Sequence, residues 1–259
     1  MTSDNQNELI RKAIAVLESM ESGNPEAIVA YIHPDKYVQH NQALLDGRQA
    51  MLDALDHLKE MGTKVSIRRA LVDGDYVALH SLYDFHGPKI VFDIFRFENG
   101  LIVEHWDNLQ EAVEKTPSNH TMIDGPVTIQ EIDKTDENKV YVKSFVENIM
   151  MGKNRDLLTS YFYGDHYIQH DPDIADGLSG LLASVQAMEE QGIEMQYTHI
   201  HKVIGQGNFV LTVSEGLIDG EPTAFYDLFR VENGKIAEHW DVIEAILPLE
   251  KRKNANSRF

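Results

Sequence analysis

Two segments of the chain, DIFRFENGLIVEHWD at residues 93–107 and DLFRVENGKIAEHWD at residues 227–241, carry the same sequence pattern. Upstream of each, a second motif recurs in the same order: YVQH, which ends at His40, and YIQH, which ends at His170. Several motifs that recur in one order indicate a duplicated structural unit. The chain is therefore predicted to contain two copies of one domain.

The predicted boundary between the copies follows residue 122, so that copy one covers residues 1–122 and copy two covers residues 123–259. A segment with proline, serine and glycine at about residues 114–134 is the predicted linker. Any function has to be argued for one copy first and for the pair second.

The repeated motif has the pattern of two strands joined by a tight turn. Asn-Gly, at residues 99–100 and again at 233–234, separates two segments of alternating apolar residues, which is a strong hairpin signal. In each copy the predicted order is two helices, a short strand, a third helix and four strands. This order predicts an α+β fold, in which three helices pack on one face of a curved, mainly antiparallel sheet. Such a sheet is expected to enclose a cone-shaped pocket for a small molecule.

Composition excludes several classes of protein. The formal charge is −19, with 23 basic and 42 acidic residues, and a nucleic-acid-binding protein would instead concentrate basic residues. The absence of cysteine excludes disulfides and thiolate chemistry. No apolar run is long enough to predict a membrane span, and the first residues lack a secretory pattern, so a cytoplasmic protein is expected.

Strand alternation places the ionisable residues of the motif. Asp93, His105 and Asp107 are predicted to share one face of the sheet with Phe95. The matching residues of copy two are Asp227, His239, Asp241 and Phe229. Carboxyl groups and an imidazole in an apolar pocket have perturbed pKa values, which is the setting of general acid–base catalysis.

Further polar residues are candidates for the same site. His80 lies in the apolar strand VALHSLY and aligns with Val213 of copy two, so a catalytic role for it would restrict activity to copy one. The residues expected to contact a substrate are Tyr37, Phe95 and His40 in copy one and Tyr167, Phe229 and His170 in copy two.

Structural roles explain the same motifs equally well. The repeated Asp-x-Phe-Arg can support the fold by pairing within the strand, and His-Trp-Asp can form a hydrogen-bond network at the end of the sheet. His40 and His170 precede loops and can cap turns. A His and carboxylate metal site is conceivable, but no HExxH or comparable spacing is present, so the prediction is that no metal is bound.

The repeated motif, together with YVQHNQALLDG and YIQHDPDIADG, resembles the SnoaL-like polyketide cyclase branch of the NTF2-like superfamily. The resemblance covers both copies. It implies an α+β cone fold and domains that pair through their sheets, here as an intrachain pseudo-dimer. It also implies chemistry without cofactor or metal, in which Asp107 or Asp241 acts as acid–base and Asp93 or Asp227 donates to an oxyanion.

Three hypotheses follow. The first is proton transfer next to the carbonyl of a small apolar compound, of aldol-condensation, cyclisation or isomerisation type, with His105, His80 and His40 as orienting groups. The second is a module that binds a small molecule without chemistry. The third is an active copy one beside a structural copy two.

Overall fold

The computed structural model describes residues 3–259, which form two compact units. Unit 1 runs to Glu111 and also includes Leu247–Phe259, while unit 2 is Ala112–Ile246. The boundary between the units therefore differs from the predicted boundary after residue 122. Unit 2 begins at Ala112, and the C-terminal tail Leu247–Phe259 belongs to unit 1.

Hydrogen bonds account for the position of each tail. In unit 1, the backbone N–H of Lys253 donates to the carbonyl oxygen of Gln42 over 2.8 Å. In unit 2, the Nδ1 atom of His170 lies 2.8 Å from the carbonyl oxygen of Thr121. Each unit thus contains the segment that follows, in sequence, the last strand of the other unit.

Unit 1 contains three helices and five strands. The helices are α1 (Ser3–Ser22), α2 (Glu26–Tyr31) and α3 (Arg48–Glu60). The strands are β1 (Val38–Gln39), β2 (Lys64–Asp73), β3 (Tyr76–Asp84), β4 (Pro88–Glu98) and β5 (Leu101–Glu111).

Unit 2 repeats this order with a shorter first α-helix. Its α-helices are α4 (Thr135–Phe145), which continues as a π-helix over Val146–Met150, and α5 (Gly177–Gln191). Two 3₁₀ helices of unit 2 cover Ile132–Lys134 and Arg155–Tyr161. A further 3₁₀ helix, Leu249–Lys251, lies in the tail that belongs to unit 1. The strands are β6 (Ile168–Gln169), β7 (Met195–Gln206), β8 (Phe209–Ile218), β9 (Glu221–Glu232) and β10 (Lys235–Ala245). The short second helix predicted for copy two is therefore a 3₁₀ helix.

The two sheets have the same topology. The strand order is β1-β5-β4-β3-β2 in unit 1 and β6-β10-β9-β8-β7 in unit 2. The four long strands are antiparallel, and the short first strand pairs in parallel with the last. The predicted fold class, two tandem α+β domains with helices on a mainly antiparallel five-stranded sheet, is confirmed.

The Asn-Gly turns form as the sequence predicts. Asn99 and Gly100 both have positive φ, 52° and 78°, and Asn233 and Gly234 repeat this with 51° and 71°. Two successive residues of positive φ define the tight turn whose twist matches that of the flanking strands. A bulge beyond each turn, between Phe97 and Arg96 in unit 1 and between Ile236 and Glu238 in unit 2, shifts the register of the strands that carry the candidate site.

The apolar core of unit 1 lies between the helices and one face of the sheet. Leu9, Ala13, Val16 and Leu17 recur at helical spacing along α1, are buried, and belong to the same cluster as Phe95 of the sheet. The core of unit 2 is built in the same way around Val142, Phe145 and the sheet residue Phe229. We call the sheet face that carries Phe95 or Phe229 the helix-side face.

No helix within residues 3–259 is both long and apolar enough to cross a membrane.

Candidate functional site

The register of β4 and β5 brings the three predicted ionisable residues of unit 1 together. Asp93 pairs with Asp107, and Phe95 pairs with His105. Residues that face each other across an antiparallel pair point to the same side of the sheet. Asp93, His105 and Asp107 therefore lie on the helix-side face with Phe95, and all three are buried.

A chain of hydrogen bonds links four side chains of unit 1. The hydroxyl of Tyr83 donates to Asp93 Oδ2 over 2.7 Å, and Asp93 Oδ1 lies 3.0 Å from His105 Nε2. On the other side of the imidazole, Gln39 Nε2 lies 3.1 Å from His105 Nδ1. The backbone N–H of Asn41 donates to Gln39 Oε1, which fixes the amide so that its NH₂ group faces the imidazole.

This orientation of Gln39 defines the tautomer of His105. Since the amide donates, Nδ1 accepts, and Nε2 carries the proton that is donated to Asp93. His105 is therefore a neutral imidazole with both nitrogens engaged. Its ring also stacks on Phe95, with centroids 4.4 Å apart.

Asp107 is bonded differently from its neighbours. Its Oδ2 accepts a 2.9 Å hydrogen bond from Asn41 Nδ2, and its Oδ1 lies 3.8 Å from Arg258 Nη1. Oδ1 is buried and has no hydrogen-bond partner among residues 3–259. The guanidinium compensates the negative charge of the carboxylate, and one carboxylate oxygen is left for another group.

Burial dominates the electrostatics of the site. It raises the pKa of Asp93, and the hydrogen bond from His105 opposes that increase. Burial also raises the pKa of Tyr83 well above its ordinary value, and the negative charge of Asp93 adds to the effect. Tyr83 is therefore a neutral hydrogen-bond donor.

Unit 2 repeats the central part of this arrangement. Asp227 Oδ1 lies 3.1 Å from His239 Nε2 and accepts a 3.2 Å hydrogen bond from the hydroxyl of Tyr197. Asp241 stands directly opposite Asp227 in the register. Phe229 stacks on His239 at 4.7 Å, as Phe95 does on His105.

The two units reach the tyrosine–aspartate hydrogen bond from different strands. In unit 1 the tyrosine is Tyr83 on β3, opposite Val65 on β2. In unit 2 the tyrosine is Tyr197 on β7, opposite Gly216 on β8. The tyrosine thus lies on the inner strand of this pair in unit 1 and on the outer strand in unit 2, opposite a smaller residue in each case. From both positions its hydroxyl reaches the buried aspartate.

The partner of the second carboxyl group differs between the units. Where Asn41 donates to Asp107, unit 2 has Asp171, which shares a hydrogen bond with Asp241. Burial and then the charge of Asp171 raise the pKa of Asp241 well above its ordinary value, because two adjacent carboxylates cannot both be ionised at low cost.

His80 does not join the site, which corrects the sequence prediction. It pairs with Phe92 on β4, and Phe92 lies on the opposite face from Asp93 because neighbouring residues of a strand alternate. Its ring stacks on Phe92 at 4.2 Å, and its Nδ1 lies 3.2 Å from Arg69 Nη1.

His40 and His170 are also absent from the helix-side cluster. They stack on Trp106 and Trp240 at 4.3 and 4.7 Å, and these tryptophans alternate with His105 and His239 along the strands. The Nδ1 atom of His40 lies 2.6 Å from the carbonyl oxygen of Ser257. Their contacts are those of residues that hold a tail segment, and their role at a substrate stays a prediction.

The aromatic residues predicted near the site do lie beside it. Tyr37 accepts a 3.2 Å hydrogen bond from Gln39 Nε2, and Tyr167 lies 3.5 Å from Gln169 Nε2. Both tyrosines are buried. Their role at a substrate, like that of Phe95 and Phe229, stays a prediction.

Sequence reasoning missed several participants, among them Tyr83, Tyr197, Gln39, Asn41, Asp171 and Arg258. Period-two alternation along β3 places Tyr83 on the same face as Leu79, which pairs with Asp93, so this signal was present. Arg258 had no such signal, because its contact with Asp107 spans most of the chain.

The donor sets also satisfy a simple geometric condition for a metal ion. A potential ligand atom from each of Asp93, His105 and Asp107 lies within 4.8 Å of the other two. The same holds for Asp227, His239 and Asp241. The two sets differ in their surroundings, because only Asp107 has a guanidinium beside it.

Comparison with family models matches part of unit 1. Residues 13–105 match the family model described as the SnoaL-like domain. Unit 2 repeats the topology of unit 1 strand for strand. No curated protein matches the chain in sequence.

Three solved structures illustrate the similarity. TsrD from Streptomyces laurentii is 20% identical, with a TM-score of 0.36, over 42% of this chain and 91% of that chain. A candidate polyketide cyclase from Bacillus cereus is 17% identical, with a TM-score of 0.39, over 42% and 79%. A candidate ketosteroid isomerase from Kribbella flavida is 14% identical, with a TM-score of 0.37, over 44% and 84%.

Proposed function

We propose that unit 1 is an acid–base catalyst that moves a proton next to the carbonyl group of a small apolar compound. The observation that carries this proposal is Asp107 Oδ1, a buried carboxylate oxygen without a hydrogen-bond partner among residues 3–259. Buried polar atoms are normally hydrogen-bonded. An oxygen left open beside an apolar core is suited to take a proton from a bound molecule.

The neighbouring groups have a supporting role in this proposal. Both oxygens of Asp93 and both nitrogens of His105 are engaged within the protein. The role predicted for Asp93, donation to an oxyanion, therefore requires that it first release Tyr83 or His105. We assign Asp93 instead to positioning, because it fixes the imidazole that lies next to Asp107.

Removal of a proton next to a carbonyl is the first step shared by aldol condensation, cyclisation and isomerisation of carbonyl compounds. Asp107 would accept that proton and return it to the product, so no further reactant is needed. Phe95 and Tyr37 would supply the apolar and hydroxyl surface against which the compound lies. His80 and His40 have no part, because they lie on the other face.

The experiment measures proton exchange directly. The protein is incubated in D₂O with a panel of small ketones and 1,3-dicarbonyl compounds, and deuterium incorporation next to the carbonyl is followed by NMR. We expect accelerated exchange for at least one compound, and a fall of at least about 100-fold in the Asp107→Asn variant, the usual scale for a general base.

Asp241→Asn, the same substitution at the matching position of unit 2, is the control and is expected to retain the exchange activity of unit 1. Retained exchange in Asp107→Asn would overturn the assignment. The melting temperature of both variants shows that a loss of exchange does not come from unfolding.

A binding module without chemistry is the second candidate, and one observation favours it. The Tyr–Asp–His arrangement recurs in both units, and in unit 1 both nitrogens of the imidazole are hydrogen-bonded within the protein. Such a chain stabilises the fold and one wall of a binding site without any proton transfer. Compounds that bind to wild type and to Asp107→Asn equally, with no exchange in either, would support this candidate.

A further inference from the structure

Unit 2 concentrates negative charge at the place where unit 1 balances it. Asp171, Asp227 and Asp241 are all buried, with at most 6% of each exposed. Unit 1 has only two carboxyl groups here, because Asn41 takes the place of Asp171, and it has Arg258 beside Asp107. Unit 2 therefore has one more acid than unit 1.

No lysine or arginine side chain of the described residues 3–259 forms an ion pair with these three acids. The side-chain contacts of Asp227 are the hydroxyl of Tyr197 and the imidazole of His239. Asp241 contacts Asp171, whose other partner is the backbone N–H of Asp173. Buried carboxylates are normally paired with a cation or bound to a metal ion.

The tails show why unit 2 lacks a guanidinium. In unit 1, the carbonyl oxygen of Ser257 lies beside His40, and the next residue is Arg258. In unit 2, the carbonyl oxygen of Thr121 lies beside His170, and the next residue is Met122, which is buried. The position that supplies a positive charge to unit 1 supplies an apolar side chain to unit 2.

His239 is oriented differently from His105. Its Nδ1 lies 2.9 Å from Gln169 Oε1, an oxygen that also accepts from the backbone N–H groups of His170 and Asp171. These contacts fix the amide of Gln169 with its oxygen towards the imidazole. Nδ1 of His239 therefore carries the proton, and the lone pair of a neutral ring lies on Nε2, which faces Asp227.

This tautomer is the one found in metal-binding histidines. Such residues donate a hydrogen bond from the nitrogen that does not bind the metal, which fixes the ring and increases the basicity of the other nitrogen. The lone pair on Nε2 faces Asp227 Oδ1 over 3.1 Å. No proton lies between these two atoms unless the imidazole or the carboxylate becomes protonated. A cation satisfies both atoms.

Further oxygen atoms in unit 2 lack partners. Asp227 Oδ2, Asp241 Oδ1 and the hydroxyl of Thr212 are buried and have no hydrogen-bond partner among residues 3–259. Thr212 stands directly opposite Asp227 in the register, where unit 1 has Leu79 opposite Asp93. Unit 2 therefore has a carboxyl group and a hydroxyl at two positions where unit 1 has an amide and a leucine.

We propose that His239 Nε2, Asp227 and Asp241 bind a divalent first-row transition metal ion such as Mn²⁺ or Zn²⁺, with Asp171 holding Asp241 in place. One nitrogen and two carboxylate ligands suit such ions. Neighbouring ligand atoms around an ion bound at about 2.1 Å are about 3.0–3.4 Å apart, which the 3.1 Å between His239 and Asp227 matches. Asp241, within 4.8 Å of both, closes the site by a side-chain rotation.

The same ion is not expected in unit 1. His105 Nε2 carries a proton there, Asn41 replaces an acid, and Arg258 already compensates Asp107. The chain thus contains its own matched control, with the same fold and the same three central residues. This inference is independent of the catalysis proposed for unit 1.

Metal binding is measured on the full chain after treatment with EDTA and dialysis. Mn²⁺ is titrated and the free ion followed by electron paramagnetic resonance, and Zn²⁺ is then added as a competitor. We expect one Mn²⁺ per chain that Zn²⁺ displaces, a higher melting temperature with the ion, and no such site in His239→Gln or Asp241→Asn. Asp171→Asn should weaken binding about 10- to 100-fold, the range for residues that orient ligands.

Asp107→Asn, the matching substitution in unit 1, is the control and should bind the ion as wild type does. A second measurement does not depend on variants: bound Mn²⁺ should broaden the ring signals of His239 and Tyr197 before those of His105 and Tyr83. The proposal is overturned if no ion binds, if binding survives His239→Gln, or if the signals of unit 1 broaden first.

Discussion

The hydrogen bond from Tyr83 to Asp93 is expected to contribute measurably to the stability of unit 1. The substitution Tyr83→Phe removes only the hydroxyl, while the ring stays in the core. The bond is 2.7 Å long between two buried residues, and a hydrogen bond to a charged group contributes about 1.5–3 kcal/mol. Because the ring is retained, no large cavity forms, and we expect a loss of about 2 kcal/mol.

The two tryptophans of the chain allow each unit to be followed separately. Trp106 lies in unit 1 and Trp240 in unit 2, so 5-fluorotryptophan gives one ¹⁹F signal for each. Urea unfolding followed at both signals yields two free energies, and Tyr83→Phe should lower the one reported by Trp106. Tyr31→Phe, at a tyrosine of α2, is the control and should change that value by less than about 0.5 kcal/mol.

A double-mutant cycle tests whether the carboxylate is the cause. Tyr83→Phe and Asp93→Asn, alone and together, should show a coupling energy of about 1 kcal/mol or more, the range for residues in direct contact. Tyr83→Phe should also raise the pKa of Asp93 further, because the hydroxyl stabilises the ionised form. A cost below about 0.5 kcal/mol, or additive single effects, would refute this reasoning.

Three further outcomes are expected. Tyr197→Phe should cost less than Tyr83→Phe, about 1 kcal/mol, since its bond to Asp227 is 3.2 Å long; the ¹⁹F signal of unit 2 measures it. Burial raises the pKa of Asp93 above its ordinary value of 3.8. Between the ordinary and the raised pKa, the folded state binds more protons than the unfolded state, so the contribution of Asp93 to stability should fall as the pH rises through this window. Unfolding at several pH values should show this slope, and Asp93→Asn should remove it. Gly216→Ala should cost at least about 2 kcal/mol in urea unfolding, because the added Cβ would lie 1.9 Å from the carbonyl oxygen of Gln196.

Local rules predict only part of the relation between Asp93, His105 and Asp107. Alternation assigns the face within each strand, so that Asp93 shares a face with Phe95, and His105 shares a face with Asp107. The register of the Asn-Gly hairpin alone would pair Asp93 with Trp106. A bulge between Phe97 and Arg96 shifts that register, so that Asp93 pairs with Asp107.

The position of His80 was not predictable by those rules. Its face relative to Asp93 depends on how β3 pairs with β4 across the loop that precedes Pro88, and a slip of one residue would move every side chain to the other face. The observed register pairs His80 with Phe92. The position of His40 was not predictable for a related reason, since it contacts a tail segment that no local sequence pattern connects to it.

The differences between the units follow a single physical requirement, the compensation of buried charge. A buried carboxylate without a partner costs several kcal/mol, so each unit has to supply a hydrogen-bond donor, a cation or a proton. Unit 1 supplies Asn41 and Arg258 from its own residues. Unit 2 has Asp171 and Met122 at the matching positions, which increase the charge and remove the cation.

A duplicated domain kept only as a scaffold would be expected to replace such costly groups by apolar ones, since well-packed apolar residues are often as stable as a buried ion pair. Unit 2 shows the reverse at two positions: Thr212 corresponds to Leu79, and Asp171 corresponds to Asn41. It also retains the tyrosine hydroxyl on Asp227, supplied from another strand. The stability that these polar groups cost is consistent with a bound cation, and a metal-free chain should accordingly unfold first at the ¹⁹F signal of Trp240.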